Sequence, residues 1–133
     1  MTATFADTFY FLALLNRRDR AHDRAMEALG QRRGRLVTTE FVLLEVADAC
    51  ADPADRPEFL RLIDSLASGP EVLIEPVSAS LFQAGLELYR HRPDKDWSLT
   101  DCTSFVVMQR EGITEALTGD RHFEQAGFVA LLK

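Results

Sequence analysis

The sequence predicts an α/β fold in which a central parallel sheet carries helices on both faces. Short apolar segments alternate with longer segments of helical spacing along the 133 residues, and parallel strands need such helical crossovers. The 47% hydrophobic and 27% charged residues are typical of a globular protein with a packed core. We therefore expect a single three-layer domain over residues 1–133.

Two strands and four helices are predicted in the first half of the chain. The strands are short β-branched or apolar runs, whereas apolar residues recur at helical spacing in the longer segments. Either Gly30 or Gly34 can end the second helix, Thr39 is a plausible N-cap of the third, and Pro53 breaks the third. The predicted elements are a strand at residues 4–6, helices at 9–15 and 20–32, a strand at 36–38, and helices at 41–49 and 56–67.

Three strands and three helices are predicted in the second half. Gly69 and Pro70 separate this half from the preceding helix, and Gly112 stops the long helix before the fourth strand. The predicted elements are a strand at residues 72–74, a helix at 78–89, a polar loop at 92–96, a helix at 99–111, a strand at 116–118, a short helix at 122–125 and a strand at 128–131.

The net charge of −6 is unevenly distributed. Residues 1–35 contain seven arginines and four acidic residues, a net charge of +3, which leaves −9 for the remainder. A basic end can bind phosphate, and an acidic remainder can bind a basic partner. A solvated helix face explains the arginines equally well, so RNA contact at this end is one of two interpretations.

The sequence favours a cytoplasmic protein. Its apolar run at residues 8–15 is shorter than the roughly 20 residues of a membrane span. Asp7 precedes this run and Arg17 and Arg18 follow it, which is the reverse of a secretory signal. Cys50 and Cys102 lack the spacing of a metal knuckle or a redox pair, so we expect two buried free thiols.

Four acidic residues are candidates for one shared site: Asp7, Glu45, Asp101 and Asp120. Asp7 and Asp120 follow strands, and sites in parallel sheets lie beyond the carboxyl ends of strands. Both also suit helix caps, and Asp101 also fits a capping box with Ser98. Glu45 lies in mid-helix on a face shared with apolar residues and has no nearby basic partner on that face, although a solvated helix edge is also possible.

Carboxylates that converge at one place need cations. Two like charges about 6 Å apart repel by roughly 3 kcal/mol at an effective dielectric constant of about 20. Oxygen ligands favour the hard ions Mg²⁺ or Mn²⁺, and such a site suits phosphodiester hydrolysis without a histidine base. We therefore interpret His22 and His91 as surface residues, whereas His122 is close enough to Asp120 to contact a substrate.

Four segments that contain these acids together resemble a known set of motifs. The segments are Phe5-Ala6-Asp7-Thr8, Thr38-Thr39 leading into Glu45, Ser98-Leu99-Thr100-Asp101-Cys102-Thr103-Ser104-Phe105, and Thr118-Gly119-Asp120-Arg121-His122-Phe123. In this order they resemble the four acidic motifs of the PIN-domain nucleases, over nearly the whole chain. The compact toxin branch called VapC-like is the most similar.

The resemblance implies a fold and a set of metal ligands. It implies a PIN-like three-layer sandwich whose sheet has the order 3-2-1-4-5, which makes Asp7 and Asp120 neighbours. Asp7 and Asp101 would bind Mg²⁺ or Mn²⁺ directly or through water. Glu45 would be a ligand or a water-orienting base, and Asp120 a ligand of a second ion or an outer-shell ligand.

Three further residues are implied at the edge of this site. Thr8 and Thr118 match small hydroxyl positions of the family that would orient the carboxylates, although a turn and a strand explain them equally well. Asp96 is either a fifth acid at the rim or a solvated loop residue.

The resemblance also implies partners. It indicates an RNA substrate, a cognate antitoxin that wraps an apolar groove and inserts into the active site, and a homodimer. The adjacent aromatic residues Phe9, Tyr10 and Phe11 are either core residues or an antitoxin-binding edge.

Other classes of protein fit this sequence less well than a PIN-domain nuclease does. A phosphoacceptor receiver domain needs a late-strand lysine, and neither Lys95 nor Lys133 is well placed. A haloacid-dehalogenase-like phosphatase needs a second aspartate where this chain has Phe9. The stronger alternative is a PIN-like module that binds RNA or a protein without cutting.

Overall fold

Five parallel strands form the central sheet of the protein, which a computed structural model describes over residues 2–31 and 34–133. The strands are β1 (Ala3–Ala6), β2 (Arg35–Thr39), β3 (Val72–Glu75), β4 (Glu115–Leu117) and β5 (Val129–Ala130). Their order is β3-β2-β1-β4-β5, and all neighbouring pairs are parallel. The predicted fold class and strand order are confirmed.

Helices cover both faces of this sheet. Residues 36–39 of β2 are all buried, and successive strand residues point to opposite faces, so neither face is open to solvent there. The helices in the described part of the chain are α1 (Thr8–Leu15), α2 (His22–Gln31), α3 (Glu40–Ala49), α4 (Arg56–Ser68), α5 (Ala79–His91), α6 (Leu99–Glu111) and α7 (Arg121–Gln125).

Capping residues begin and end several helices where the sequence predicts it. The hydroxyl of Thr39 accepts a hydrogen bond from the amide of Val42 at 3.0 Å, which makes Thr39 the N-cap of α3. Ser78 caps α5, which extends two residues beyond the predicted end, to His91. Gly112 has a φ of 68° and ends α6 in the left-handed conformation that glycine adopts without strain.

The start of α2 differs from the prediction, because α2 begins at His22 and not at Arg20. The side-chain oxygens of Asn16 and Asp19 each accept a hydrogen bond from the backbone amide two residues further on. These bonds keep the preceding segment in a turn. The predicted end at Arg32 lies outside the described residues. At the other end of the chain, β5 is two residues long instead of the predicted four.

A cluster of aromatic side chains connects the elements that carry the acidic residues. Phe105 of α6 is 1% exposed and lies 5.0 Å from Trp97, 4.9 Å from Phe123 and 5.7 Å from Phe128, measured between ring centroids. Phe123 of α7 also contacts Phe5 of β1 at 6.3 Å. This packing holds the loop before α6, the helix α7 and the central strand in fixed relative positions.

Helices α5 and α6 approach each other closely at Gly85. A Cβ atom at this position would lie 2.6 Å from Cγ2 of Thr103 and 3.2 Å from its backbone nitrogen. Because an added Cβ would collide with the Thr103 side chain and lie unusually close to the backbone of α6, the glycine permits this close contact between the two helices.

The buried aromatic residues of α1 are core residues. Tyr10 and Phe11 are each 1% exposed, so for these two the core interpretation is correct. Phe9 is partly buried and packs against Gly119, where an added Cβ would lie 2.6 Å from its ring.

Cysteine and histidine predictions have mixed outcomes. Cys50 and Cys102 are buried free thiols, as predicted. His91 is exposed as predicted, but His22 is partly buried and its Nδ1 lies 2.7 Å from the carbonyl oxygen of Ala13. Among the helices of the described residues, none combines the length and apolar content that a membrane span requires.

Three arginines of the N-terminal basic region lie far from the carboxyl edge of the sheet. Arg35 begins β2 and is therefore at the opposite, amino edge. Arg17 and Arg18 follow α1, which begins directly after β1 and extends for about 12 Å. These cations are therefore not next to the carboxyl ends of the strands.

Candidate metal centre

Asp7 lies at the carboxyl edge of the sheet, between the ends of its two central strands. Ala6 of β1 pairs with Leu117 of β4, and the Asp7 amide donates to the Leu117 carbonyl at 3.3 Å. The Asp7 side chain is 5% exposed and makes no cap hydrogen bond to α1, although the residue occupies the N-cap position. Helix capping therefore does not explain this buried carboxylate.

Thr118 joins two of the predicted acids. Its hydroxyl donates to Oδ2 of Asp7 at 2.8 Å and accepts from the amide of Asp120 at 3.0 Å. Thr118 itself is fully buried. A single side chain thus orients the Asp7 carboxylate and fixes the backbone that carries Asp120, which is the orienting contact that the sequence resemblance implies for this residue.

Asp101 comes to the same place from the first turn of α6. Its Oδ2 accepts from the amide of Ser98 at 3.2 Å, while the Ser98 hydroxyl accepts from the Asp101 amide at 2.9 Å. The capping box predicted as a structural alternative is therefore present. The same Oδ2 lies 3.0 Å from Nδ1 of His122. Because both contacts use Oδ2, capping leaves Oδ1 for another ligand.

Asp120 caps α7 and faces the same histidine. Its Oδ1 accepts from the amide of His122 at 2.9 Å and lies 3.4 Å from Nδ1 of that ring. The predicted cap interpretation is therefore also correct here. Ligand atoms of Asp120, Asp101 and His122 all lie within 4.8 Å of one another, a spacing that one metal ion can bridge.

His122 occupies the middle of the acidic group. Nδ1 faces Asp101 and Asp120, and Nε2 lies 3.2 Å from Oδ1 of Asp96. The other carboxylate oxygen of Asp96, Oδ2, lies 3.9 Å from the guanidinium of Arg121. Burial lowers the pKa of His122, but its hydrogen bond to Asp101 and the surrounding carboxylates outweigh this and raise the pKa above its usual value. The ring therefore acts as a cationic or hydrogen-bonding bridge between carboxylates.

Glu45 reaches the site from α3, but it is not on a buried face. The helix places Val42 and Val46 in the core, whereas Glu45 itself is exposed. The hydroxyl of Thr8, the residue after Asp7, donates to Oε1 of Glu45 at 2.6 Å. The solvated edge that the sequence left open is therefore its environment, and Thr8 tethers it to the site.

Burial and mutual repulsion make the centre electrostatically unfavourable without a cation. Burial raises the pKa of Asp7 to about 7, and the charges of Asp101 and Asp120 act in the same direction, against the hydrogen bond from Thr118. Burial also raises the pKa of Asp101, although its hydrogen bonds with His122 and Ser98 oppose this. Thr118 bonds to both the Asp7 carboxylate and the Asp120 amide, so these two residues are neighbours.

The donor set fits a divalent cation. In the part of the chain that the structure describes, no lysine or arginine forms an ion pair with Asp7, Asp101 or Asp120. Carboxylate oxygens are the ligands that hard divalent cations prefer, and such a cation would stabilise the ionised form of the buried Asp7 carboxylate and reduce its repulsion from Asp101 and Asp120. The residues present can therefore hold a divalent ion.

His122 and Asp96 have larger roles in this arrangement than the sequence indicates. Asp120 and His122 are two positions apart, so the sequence shows only that the ring is near this one acid. The contact of the ring with Asp101 requires two distant segments of the chain to meet. For Asp96 the sequence favours a solvated loop residue, and its carboxylate is indeed exposed, yet it contacts the ring. No short-range pattern in the sequence distinguishes these outcomes.

A comparison of the sequence with models of protein families agrees with the order of the motifs, the fold and the position of the acidic residues. The family model described as the PIN domain matches residues 4–129. This protein belongs to the PIN-domain family. The PIN domain described here is 28% identical over 125 residues to a protein named 23S rRNA-specific endonuclease VapC20 in two strains of Mycobacterium tuberculosis. The match covers 94% of this chain and 95% of the relative.

Two solved structures are similar to this protein over nearly the whole chain. The crystal structure of Mycobacterium tuberculosis VapC20, described as a sarcin–ricin loop cleaving toxin, has a TM-score of 0.86 and 28% identity. The structural match covers 95% of this PIN domain and 96% of the VapC20 chain. VapBC2 from Rickettsia felis, bound to a promoter DNA fragment, has a TM-score of 0.67 at 14% identity and covers 97% and 96% of the two chains, so it supports the fold alone.

Proposed function

We propose that this PIN domain is a metal-dependent endoribonuclease that hydrolyses RNA phosphodiester bonds and serves as the toxin of a toxin–antitoxin pair. The observation that carries the proposal is that Thr118 and His122 join Asp7, Asp101 and Asp120 in one network at the sheet edge, with no lysine or arginine ion pair to these aspartates among the described residues. The name of the VapC20 relative and its 28% identity over nearly the whole chain support the reaction and the substrate class.

Each site residue has a proposed role. Asp7, Asp101 and Asp120 hold Mg²⁺ or Mn²⁺, with Asp120 as a ligand of a second ion or an outer-shell ligand. Glu45 binds a cation or orients the attacking water, and its exposure allows water to reach it. When bound, a divalent cation supplies water activation and neutralises charge on the leaving oxygen.

Metal dependence is the first test. We expect the protein to cleave an RNA hairpin of the sarcin–ricin loop sequence in Mn²⁺ or Mg²⁺ and to lose this activity in EDTA. Asp101→Asn, which keeps an acceptor for the capping box, should reduce the cleavage rate about 100-fold or more. Asp64→Asn, on the exposed side of α4, is the matched control and should leave the rate unchanged.

Equal cleavage rates with and without EDTA would contradict the proposal. Tight RNA binding without cleavage in any divalent ion would instead favour the non-catalytic PIN-like module. Gel analysis of the end-labelled hairpin, together with its binding measured in the same buffers, distinguishes the two functions.

Thr118 gives a second test that does not depend on finding the right RNA. Thr118→Val removes the hydroxyl that orients Asp7 and binds the Asp120 amide, so we expect Mn²⁺ affinity to fall about 10- to 100-fold. Thr118→Ser retains the hydroxyl and should stay close to the wild type. Calorimetric titration with Mn²⁺ measures both, and equal affinities for the two variants would show that the hydroxyl does not support the metal ligands.

The remaining elements of the proposal concern domain organisation and partners. The family match over residues 4–129 supports a single PIN domain. By the toxin assignment of the similar M. tuberculosis structure, we propose a cognate antitoxin, a homodimer and a cytoplasmic location. Sedimentation of the purified protein tests the dimer, which a monomer at micromolar concentration would contradict.

A further inference from the structure

A pocket lined by several cationic residues lies at the C-terminal end of α5 and in the loop that follows it. It is a pocket of about 440 Å³ that contains three cationic side chains and no acidic one, in a protein whose net charge is −6. The residues that line it are Leu86, Tyr89, Arg90, Arg92, Pro93 and Lys95, which we call the α5 pocket.

Two of these cations are available to an incoming anion. Arg90 is 67% exposed, and its ion pair with Glu87 is long, at 3.8 Å. Lys95 forms no ion pair within the described ranges 2–31 and 34–133. Exposed ion pairs of this kind are weak, so a phosphate can replace Glu87 beside Arg90. Arg92 is different, because it is bonded to Asp94 by two 3.0 Å hydrogen bonds.

The α5 pocket also presents an aromatic surface next to the cations. Tyr89 is 52% exposed, which is unusual for a large side chain with no core role. Leu86 and Pro93 add apolar walls. An exposed aromatic ring between cationic side chains is the combination that binds single-stranded nucleic acid, since bases stack on the ring while phosphates bind the cations.

The loop that lines the α5 pocket also contacts the metal centre. Lys95 is directly followed by Asp96, whose carboxylate lies 3.2 Å from Nε2 of His122. On the inner side, the Arg92 guanidinium lies 5.1 Å from the centre of the Trp97 ring, which fixes the loop between α5 and α6. The loop between α5 and α6 therefore contributes residues both to the pocket and to the surroundings of His122. By contrast, Arg17, Arg18 and Arg35 lie away from this edge.

We propose that the α5 pocket binds an unpaired segment of the RNA substrate and positions the strand at the metal centre. Arg90 and Lys95 bind phosphates and Tyr89 stacks on a base, while Arg92 keeps the loop in place. This inference rests on the proposed ribonuclease function, and it adds a substrate-binding site that lies outside the acidic cluster.

The test compares two charge-matched double variants. In EDTA, which prevents cleavage, binding of a fluorescein-labelled sarcin–ricin hairpin is measured by anisotropy at several salt concentrations. Arg90→Gln with Lys95→Gln should weaken binding and lower the slope of log K against log salt by about 1.4, since each single-strand phosphate contact contributes about 0.7. Arg61→Gln with Arg110→Gln removes the same charge from exposed positions of α4 and α6 and should preserve the slope.

A pair of tyrosine variants tests the stacking contact. Tyr89→Ser should weaken binding about tenfold, whereas Tyr89→Phe retains the ring and should bind like the wild type. In Mn²⁺, Tyr89→Ser and the Arg90/Lys95 variant should raise KM with little change in kcat, because they act on substrate binding and leave the acidic residues intact.

The outcomes separate this inference from the function on which it rests. If the wild type binds and cleaves the hairpin but the Arg90/Lys95 variant matches its control, the α5 pocket does not bind RNA and the ribonuclease function stands. If the wild type neither binds nor cleaves RNA in any divalent ion, both proposals fail.

Discussion

Asp7→Asn is expected to reduce metal-dependent cleavage about 100-fold or more and, at the same time, to stabilise the metal-free protein. The pKa of Asp7 is raised from 3.8 to about 7, first of all by burial, so the folded state favours the neutral carboxyl. The stability that this preference contributes is complete below pH 3.8 and is lost as the pH rises through about 7. At pH 8 the ionised group therefore destabilises the metal-free fold, by up to about 4 kcal/mol.

Asparagine removes this charge but can still accept the hydrogen bond from Thr118. Thermal unfolding in EDTA at pH 8 should therefore give a melting temperature several degrees above the wild type, with a difference that shrinks as the pH falls towards 5.5. Asp64→Asn should show no such difference. A less stable Asp7→Asn protein at pH 8 would contradict the argument that an unneutralised carboxylate is buried at this edge.

Saturating Mn²⁺ should stabilise the wild type more than it stabilises Asp7→Asn. It should raise the melting temperature of the wild type, because binding to the folded state alone contributes about 2.7 kcal/mol at 100 times Kd. Asp7→Asn should gain little from the same addition, since it lacks the ligand. Together with a cleavage rate reduced about 100-fold or more, this pattern assigns the destabilising charge and the metal ligand to the same side chain.

Phe105→Ala is expected to have the largest effect on stability. The ring is 1% exposed and contacts Trp97, Phe123 and Phe128, so its removal leaves a cavity in the aromatic cluster. Substitutions of this type lower the free energy of unfolding by about 3–5 kcal/mol. Urea unfolding in EDTA measures the loss, and a loss below about 1.5 kcal/mol would contradict the central role of this ring.

The same substitution should also weaken the metal centre. Phe105 contacts Phe123 of α7, the short helix that Asp120 caps and that carries His122. Loosening this contact should lower Mn²⁺ affinity even though no ligand is changed. Phe105→Leu fills more of the cavity and should lose clearly less stability and affinity, which separates a packing effect from general unfolding.

The fold was predictable from the sequence because its signals are local. Short β-branched strands, Thr39 as a helix cap and Gly112 as a helix stop each act within a few residues, and all three are found as expected. The strand order came from the family resemblance, since periodicity alone does not determine which strands are neighbours. The start of α2 was missed because Asn16 and Asp19 stabilise a turn that apolar spacing does not reveal.

The candidate site was only partly predictable. Sequence placed Asp7 and Asp120 after strands, and a parallel sheet brings such residues to one edge. The exposure of Glu45 was left open because periodicity gives the direction of a side chain but not how far neighbouring elements cover it. The contacts of His122 with Asp101 and Asp96 depend on how two loops fold relative to each other, which no local pattern encodes.

Because β1 lies beside β4 in the sheet, the metal centre depends on a part of the chain that is synthesised much later than Asp7. Asp7 and Thr118 are separated by 111 positions in the chain, yet their side chains are directly bonded. While a ribosome is still translating the message, the first carboxylate has emerged but the strand that must lie beside it has not. Incomplete or prematurely released chains that end before Thr118 therefore lack the hydrogen bond that orients Asp7.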